Sequence, residues 1–320
     1  MNKITLYSLC FFVFLTSSLF AQLSHRLPER AAVLQTPEGP VRGKIVTPAV
    51  GEEPFPVVLL IAGSGPTDMD GNQPGMENNS LKYLAEDLAK SGIASLRFDK
   101  RGVASSAGVG KDEYSMRFED YVKDVQSWIE HLGRERNLSD IYVAGHSEGA
   151  LIGLLASRQN DKVKGYISIA GTGRPAYELI EEQLAGQPDY IKSMATDINE
   201  SLRAGKLVPN VPLGLQALFR SSVQPYLISW YKYNPQDEIK KLRIPILIVQ
   251  GTTDLQVTVK DAELLKAAAP QASLEIIQHM NHVLKQSRGT TIQQQLDTYT
   301  QPTTPLDEQL PILIEKFVKK

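Results

Sequence analysis

Gly145-His146-Ser147-Glu148-Gly149 sets one serine between two glycines, just after a short apolar run and just before a helix-forming one. That context gives the pattern chemical meaning, because the glycines permit a tight strand-to-helix turn that lifts the serine hydroxyl clear of a sheet. Ser147 is therefore the candidate nucleophile, with an ordinary turn serine as the alternative. A serine hydroxyl attacks poorly at neutral pH, so the reading requires a base within reach and a carboxylate to orient that base, expected in the chain order acid, then histidine. Gly251-Thr252-Thr253-Asp254 follows an apolar run and makes Asp254 the expected acid; Asp261 and Glu263, the alternatives, fall on the next helix. Gln278-His279-Met280-Asn281-His282 then offers two bases. His282 lies far enough past the strand to turn its ring inward, whereas His279 stands almost at the strand's end, so His282 is expected to serve. His25 falls in an N-terminal tether, His131 at a helix end and His146 inside the turn, and all three read as structural.

Chemistry at a carbonyl also needs donors for a developing oxyanion. The backbone N–H of Glu148 is the first expected donor. The second is expected from Ala62-Gly63-Ser64-Gly65-Pro66, with Ser64 N–H preferred and Gly65 next. A phosphate-binding loop would need Gly-Lys-Ser/Thr to follow, and none does. No histidine spacing or tight aspartate cluster reads as a metal site, and no cofactor is required.

These residues need a scaffold that brings several loops to one edge. Strand-like runs at 57–61, 94–98, 141–144, 165–170, 244–249 and 273–277, the first of them wholly apolar, alternate with amphipathic helical patterns, which predicts an α/β fold with a mostly parallel, doubly wound sheet. Leu81, Leu84, Ala85 and Leu88 share one helical face; Phe118, Tyr121, Val122, Val125, Ile129 and Leu132 share another. Ahead of the sheet, Thr36-Pro37-Glu38-Gly39-Pro40 between two β-rich runs predicts a hairpin. From about 174 to 237 the alternation stops in favour of helical segments, prolines and aromatics, the pattern of an inserted helical lid. Its Phe219, Tyr226, Trp230, Tyr231 and Tyr233 could bind an acyl or aryl group or pack the lid on the core. Residues 286–305 read as surface loop or weak helix, and 310–318 as a closing helix.

The formal net charge of −2 over 320 residues leaves no field for steering toward nucleic acid or an anionic membrane. Lys3, the apolar run 4–15 and the small residues before Gln22 form an export-signal pattern, with cleavage expected after Ala21. The run is shorter than a spanning helix needs, which favours cleavage over a retained anchor. The expected organisation is a signal peptide at 1–21, a tether at 22–30 and one domain at 31–320, in a periplasmic or secreted protein. Cys10 is the only cysteine, so neither a disulfide framework nor a cysteine nucleophile is expected after cleavage.

Five motifs in order carry a resemblance: residues 63–72 (Gly-Ser-Gly-Pro-Thr-Asp-Met-Asp-Gly-Asn), Asp99-Lys100-Arg101-Gly102, 145–149, 251–257 and Asn281-His282. Together they resemble the α/β-hydrolase superfamily, and within it bacterial carboxylesterases related to the serine aminopeptidase-like hydrolases. The resemblance spans residues 30 to 320 and implies a small-molecule acyl substrate and a Ser-His-Asp mechanism. Met69 stands where that group usually has arginine, and Val103-Ala104-Ser105-Ser106 replaces a more regular Gly-x-Gly-x-Ser. Asp68, Asp70, Asp99 and Arg101 are expected to form a network holding the loops. The same triad would serve an aminopeptidase-like or thioester hydrolase, with Glu178, Glu181 and Glu182 as candidate amine-binding carboxylates. A non-catalytic binding protein on this fold is the alternative of another class. A haloalkane dehalogenase would need a carboxylate in place of Ser147.

Overall fold

Val57 to Ile61 is apolar at every position, so a strand there can sit only at the centre of a sheet covered on both faces. The computed structural model, which describes residues 27–110, 112–289 and 291–320, places it so. Strand β3 (Phe55–Ile61) lies inside an eight-stranded sheet of order β1-β2-β4-β3-β5-β6-β7-β8. The other strands are β1 (Glu29–Thr36), β2 (Gly39–Val46), β4 (Ala94–Phe98), β5 (Leu138–His146), β6 (Val163–Ile169), β7 (Ile246–Gly251) and β8 (Ser273–Ile277). The opening hairpin is antiparallel and β2 joins β4 antiparallel; all later pairings are parallel.

Alternation along β3 divides the core. Val57, Leu59 and Ile61 pack on one face with helix α2 (Phe118–Leu132) and helix α3 (Glu148–Ser157). Val58 and Leu60 pack on the other with helix α1 (Ser80–Lys90) and the C-terminal helix Gln309–Val318. Each such fully buried side chain contributes roughly 1.5–3 kcal/mol. From β3 the chain runs to β4 on one side and, after α2, to β5 on the other. That reversal opens a crevice at the carboxyl ends of β3 and β5, the place where open α/β sheets bind ligands.

Between β6 and β7 the chain leaves the sheet for helices α4 (Ala176–Gln183), α5 (Asp189–Arg203), α6 (Gln216–Phe219), α7 (Gln224–Trp230) and α8 (Pro235–Ile239). Phe118 at the start of α2 holds this insertion, stacking on Trp230 at 5.7 Å and tilting against Tyr226 and Tyr233. Helix α9 (Val259–Ala268) joins β7 to β8. Residues 286–305 carry the short helix α10 (Ile292–Asp297). The export-signal segment lies outside the described residues.

Candidate active site

Ser147 is the hinge between β5 and α3. Its backbone has φ 55° and ψ −121°. Such a positive φ costs a non-glycine residue energy and survives only where its surroundings enforce it. The enforcement is visible in its neighbours. A Cβ on Gly145 would collide with the Gly149 carbonyl, and one on Gly149 would stand 2.5 Å from Ile61 O. Only glycine at both positions lets the elbow close onto β3.

The Asp254 side chain meets donors on both oxygens. Oδ1 accepts from the backbone N–H groups of Gln256 (2.8 Å) and Val257 (2.9 Å); Oδ2 accepts from Gln250 Nε2 (3.1 Å) and from His282 Nδ1 (2.8 Å). Burial alone would raise its pKa, but the His282 charge and these donors outweigh burial and hold the carboxyl below its usual range. With Nδ1 engaged by Asp254, Nε2 is the ring nitrogen left to face a partner. His282 and Ser147 line the same cavity of about 60 Å³, together with Gly63, Ser64, Gln256 and Tyr299. No hydrogen bond joins Ser147 Oγ to His282 Nε2, and such contacts commonly tighten only around substrate.

His279 goes elsewhere. It is exposed, its φ is 65°, and its backbone N–H donates to Thr252 Oγ1 at 2.9 Å. Asp261 is engaged by Arg174 (Nε at 2.9 Å) and caps α9. The structure therefore brings together Ser147, His282 and Asp254, and leaves the alternatives apart.

Neither Ser64 N–H nor Glu148 N–H has an acceptor among the described residues. Ser64 lines the Ser147 cavity and also a second one of about 430 Å³, walled by Val103, Met116, Tyr121, Tyr226, Leu227 and Trp230. Of the lid aromatics, Tyr226 and Trp230 reach this second cavity. Phe219 is fully buried, Tyr231 donates to Asn199 and Tyr233 to Glu119.

Asp68, Asp70, Asp99 and Arg101 hold loops. Asp99 accepts from Met69 N (2.7 Å) and Ser105 N (3.0 Å), so it ties together the two segments that depart from the usual motifs. Asp68 turns its own loop by accepting from Asp70 N and Asn72 N. Asp70 pairs with buried Arg97, and Arg101 is bidentate on Asp124.

Three contributors were not anticipated as parts of the site: Gln250, Lys100 and, in its actual role, His146. His146 Nε2 donates to the His282 carbonyl at 2.8 Å, and the two rings lie 4.7 Å apart. It is a strut under His282. Burial, and then the neighbouring His282 charge, lower its pKa from 6.5 to about 3, so the folded ring stays neutral where an unfolded one takes a proton. Stability from this neutral histidine is fully present above the unfolded value of 6.5 and is lost as pH falls toward about 3. The expected slope over that window is about 1.4 kcal/mol per pH unit. His146→Gln can keep the donor without the titration. Its unfolding free energy against pH is expected to be shallower than wild type over that window by about this slope; parallel curves would refute the assignment.

A sheet of this order, with the elbow after β5, Asp254 after β7 and His282 after β8, defines the class: the chain is an α/β hydrolase. Within that class, residues 74–222 match the family model described as serine aminopeptidase, S33. The chain is 30% identical over 253 residues to esterase EstD of Thermotoga maritima, covering 77% of this chain and 58% of that one. It is 26% identical over 240 residues to a proline iminopeptidase of Lactobacillus delbrueckii subsp. bulgaricus, covering 64% and 77% of the two chains. Among solved structures, Est1E of Butyrivibrio proteoclasticus with bound ferulic acid superposes with a TM-score of 0.63 at 19% identity, over 90% of this chain and all of that one.

Proposed function

We propose that the protein is an exported carboxylic-ester hydrolase with Ser147 as nucleophile, His282 as general base and Asp254 as its orienting acid. The observation that carries this is the His282–Asp254 pair, which holds the His282 ring at the wall of the cavity that Ser147 also lines. Ser147 Oγ bonds to the acyl carbon while its proton moves to His282 Nε2, and the oxyanion is held by Ser64 and Glu148 N–H. Collapse of the adduct breaks the carbon–oxygen bond, and His282 returns the proton to the leaving alkoxide. Water then attacks the acyl-enzyme, giving its proton to His282, and the carboxylic acid departs as Ser147 recovers its hydrogen. The larger cavity, of about 430 Å³ beside Ser64, is the proposed seat of the substrate's larger apolar group.

One observation favours ester over aminopeptidase substrates. Binding a free amine calls for an unengaged carboxylate, and the two that line the larger cavity are taken: Glu113 by Arg220, Glu148 by Lys100 and Tyr226. Glu178, Glu181 and Glu182 line neither cavity. The purified protein assayed side by side on p-nitrophenyl butyrate, butyryl-coenzyme A and proline p-nitroanilide should prefer the ester; anilide turnover above ester turnover would overturn the reading. The likeness to EstD and to the ferulate-binding Est1E supports aryl or small acyl esters for the panel. Mass spectrometry of periplasmic material should find Gln22 as the first residue.

Asp254→Asn tests the acid. An asparagine amide must turn its NH₂ toward either the two backbone donors or His282 and Gln250, so donor faces donor in both orientations. The expected loss in kcat is about 10⁴-fold, because the amide favours the wrong tautomer of His282. A variant within about tenfold of wild type would exclude Asp254 from catalysis.

A further inference from the structure

The reaction proposed above gives no task to a buried charged group that stands beside its crevice. Lys100 is 1% exposed, and its Nζ donates to the Gly63 carbonyl and lies 3.3 Å from Glu148 Oε2. Glu148 Oε1 in turn accepts from the hydroxyl of Tyr226, on lid helix α7, at 2.7 Å. Burying an ammonium and a carboxylate costs several kcal/mol per ion before their attraction returns any of it, so such a pair is weak as a stabilising device. Its location is informative. The Gly63 carbonyl and the Ser64 N–H belong to the same planar trans peptide, so they point in opposite directions. An ammonium fixed on the carbonyl fixes where the N–H aims, and by drawing electron density to the oxygen it makes the N–H a stronger donor. The same ammonium grips the side chain of Glu148, whose backbone N–H is the other donor. Gly63 also packs against the elbow: a Cβ there would lie 3.3 Å from Ser147 Cβ, so a rotated peptide has little room.

We infer that Lys100 is a positioning residue for the oxyanion hole, locking both donor N–H groups through Gly63 and Glu148, with Tyr226 of the lid completing the lock. This rests on the serine-hydrolase reading, and it makes the hole dependent on a charge that acts on it through Gly63 and Glu148 from the wall of the larger cavity. Acyl groups seated against Tyr226 thereby press on the element that holds the hole in shape.

Lys100→Met keeps the buried stem and removes the ammonium. With p-nitrophenyl butyrate, kcat is expected to fall about 10²-fold, in the range seen when one oxyanion donor is lost, with KM changed by less than about threefold. Phenylboronic acid, which becomes a tetrahedral anion on the serine oxygen, should inhibit the variant more weakly by the same factor as the fall in kcat/KM, while butyrate, the product, should inhibit both alike. Lys100→Arg should recover part of kcat. If Lys100→Met fails to fold, Glu148→Gln, which keeps an acceptor for Tyr226, is assayed in the same way with a kcat loss of about tenfold expected. Wild-type kcat, a loss confined to KM, or unchanged boronate inhibition would overturn the inference. The two readings fail separately: an active Ser147→Ala sinks the hydrolase mechanism, whereas an inactive Ser147→Ala beside a fully active Lys100→Met sinks only the role of Lys100.

Discussion

Ser147→Ala is expected to abolish ester hydrolysis, with kcat down by about 10⁶-fold, while the protein unfolds at the same temperature as wild type. The two halves of that result have separate causes. Catalysis goes because the hydroxyl carried on the elbow beside the Glu148 N–H is removed; the remaining hole and binding surface supply only residual turnover. Stability stays because Ser147 Oγ makes no hydrogen bond among the described residues, and only partial burial surrounds it. The unusual backbone at φ 55° is imposed by the glycine contacts on either side. Alanine bears the same conformational cost there as serine. Thermal unfolding and p-nitrophenyl butyrate assays on one preparation read both. Labelling by a fluorophosphonate, lost in the variant, identifies the oxygen that reacts. Turnover comparable to wild type would remove Ser147 from the chemistry.

The scaffold was readable because burial on two faces leaves little choice of residue. Strands 94–98 and 273–277 have in the structure the bounds that their sequence pattern predicts. Strand β5 runs on through Gly145 and His146, two residues past the last aliphatic one, because β3 and β6 pair with it to its end. Periodicity cannot see a strand whose last two residues are Gly145 and His146. The lid was legible only as the stretch where strand runs stop; its helix ends and the cavity beneath it depend on packing among Phe118, Tyr121, Tyr226 and Trp230, residues separated by about a hundred positions. The Asp-Lys-Arg-Gly motif was legible only in part. Asp99 and Arg101 hold loops as expected, whereas Lys100 bonds to a peptide 37 residues earlier, a contact with no local pattern to announce it.

The histidines separate by what surrounds them, and that sets the second large effect. His282→Ala is expected to lose about as much kcat as Ser147→Ala, since nucleophile and base act as one unit. Its backbone anchor survives, because His146 holds the residue-282 carbonyl and not the ring, and Asp254 keeps three other donors. Loss of activity in this variant therefore reports the missing base and not a collapsed loop. The control at residue 279 needs care. His279 has φ at 65°. Asparagine tolerates that backbone and alanine resists it, so His279→Ala would mix a conformational cost into the comparison. His279→Asn removes the imidazole, leaves the N–H on Thr252 and should retain kcat within about twofold. The decisive outcome is the pair read together. An inactive His282→Ala beside an active His279→Asn assigns the base, and the reverse would move the proton acceptor to the exposed ring and leave the Asp254 contact without a catalytic purpose.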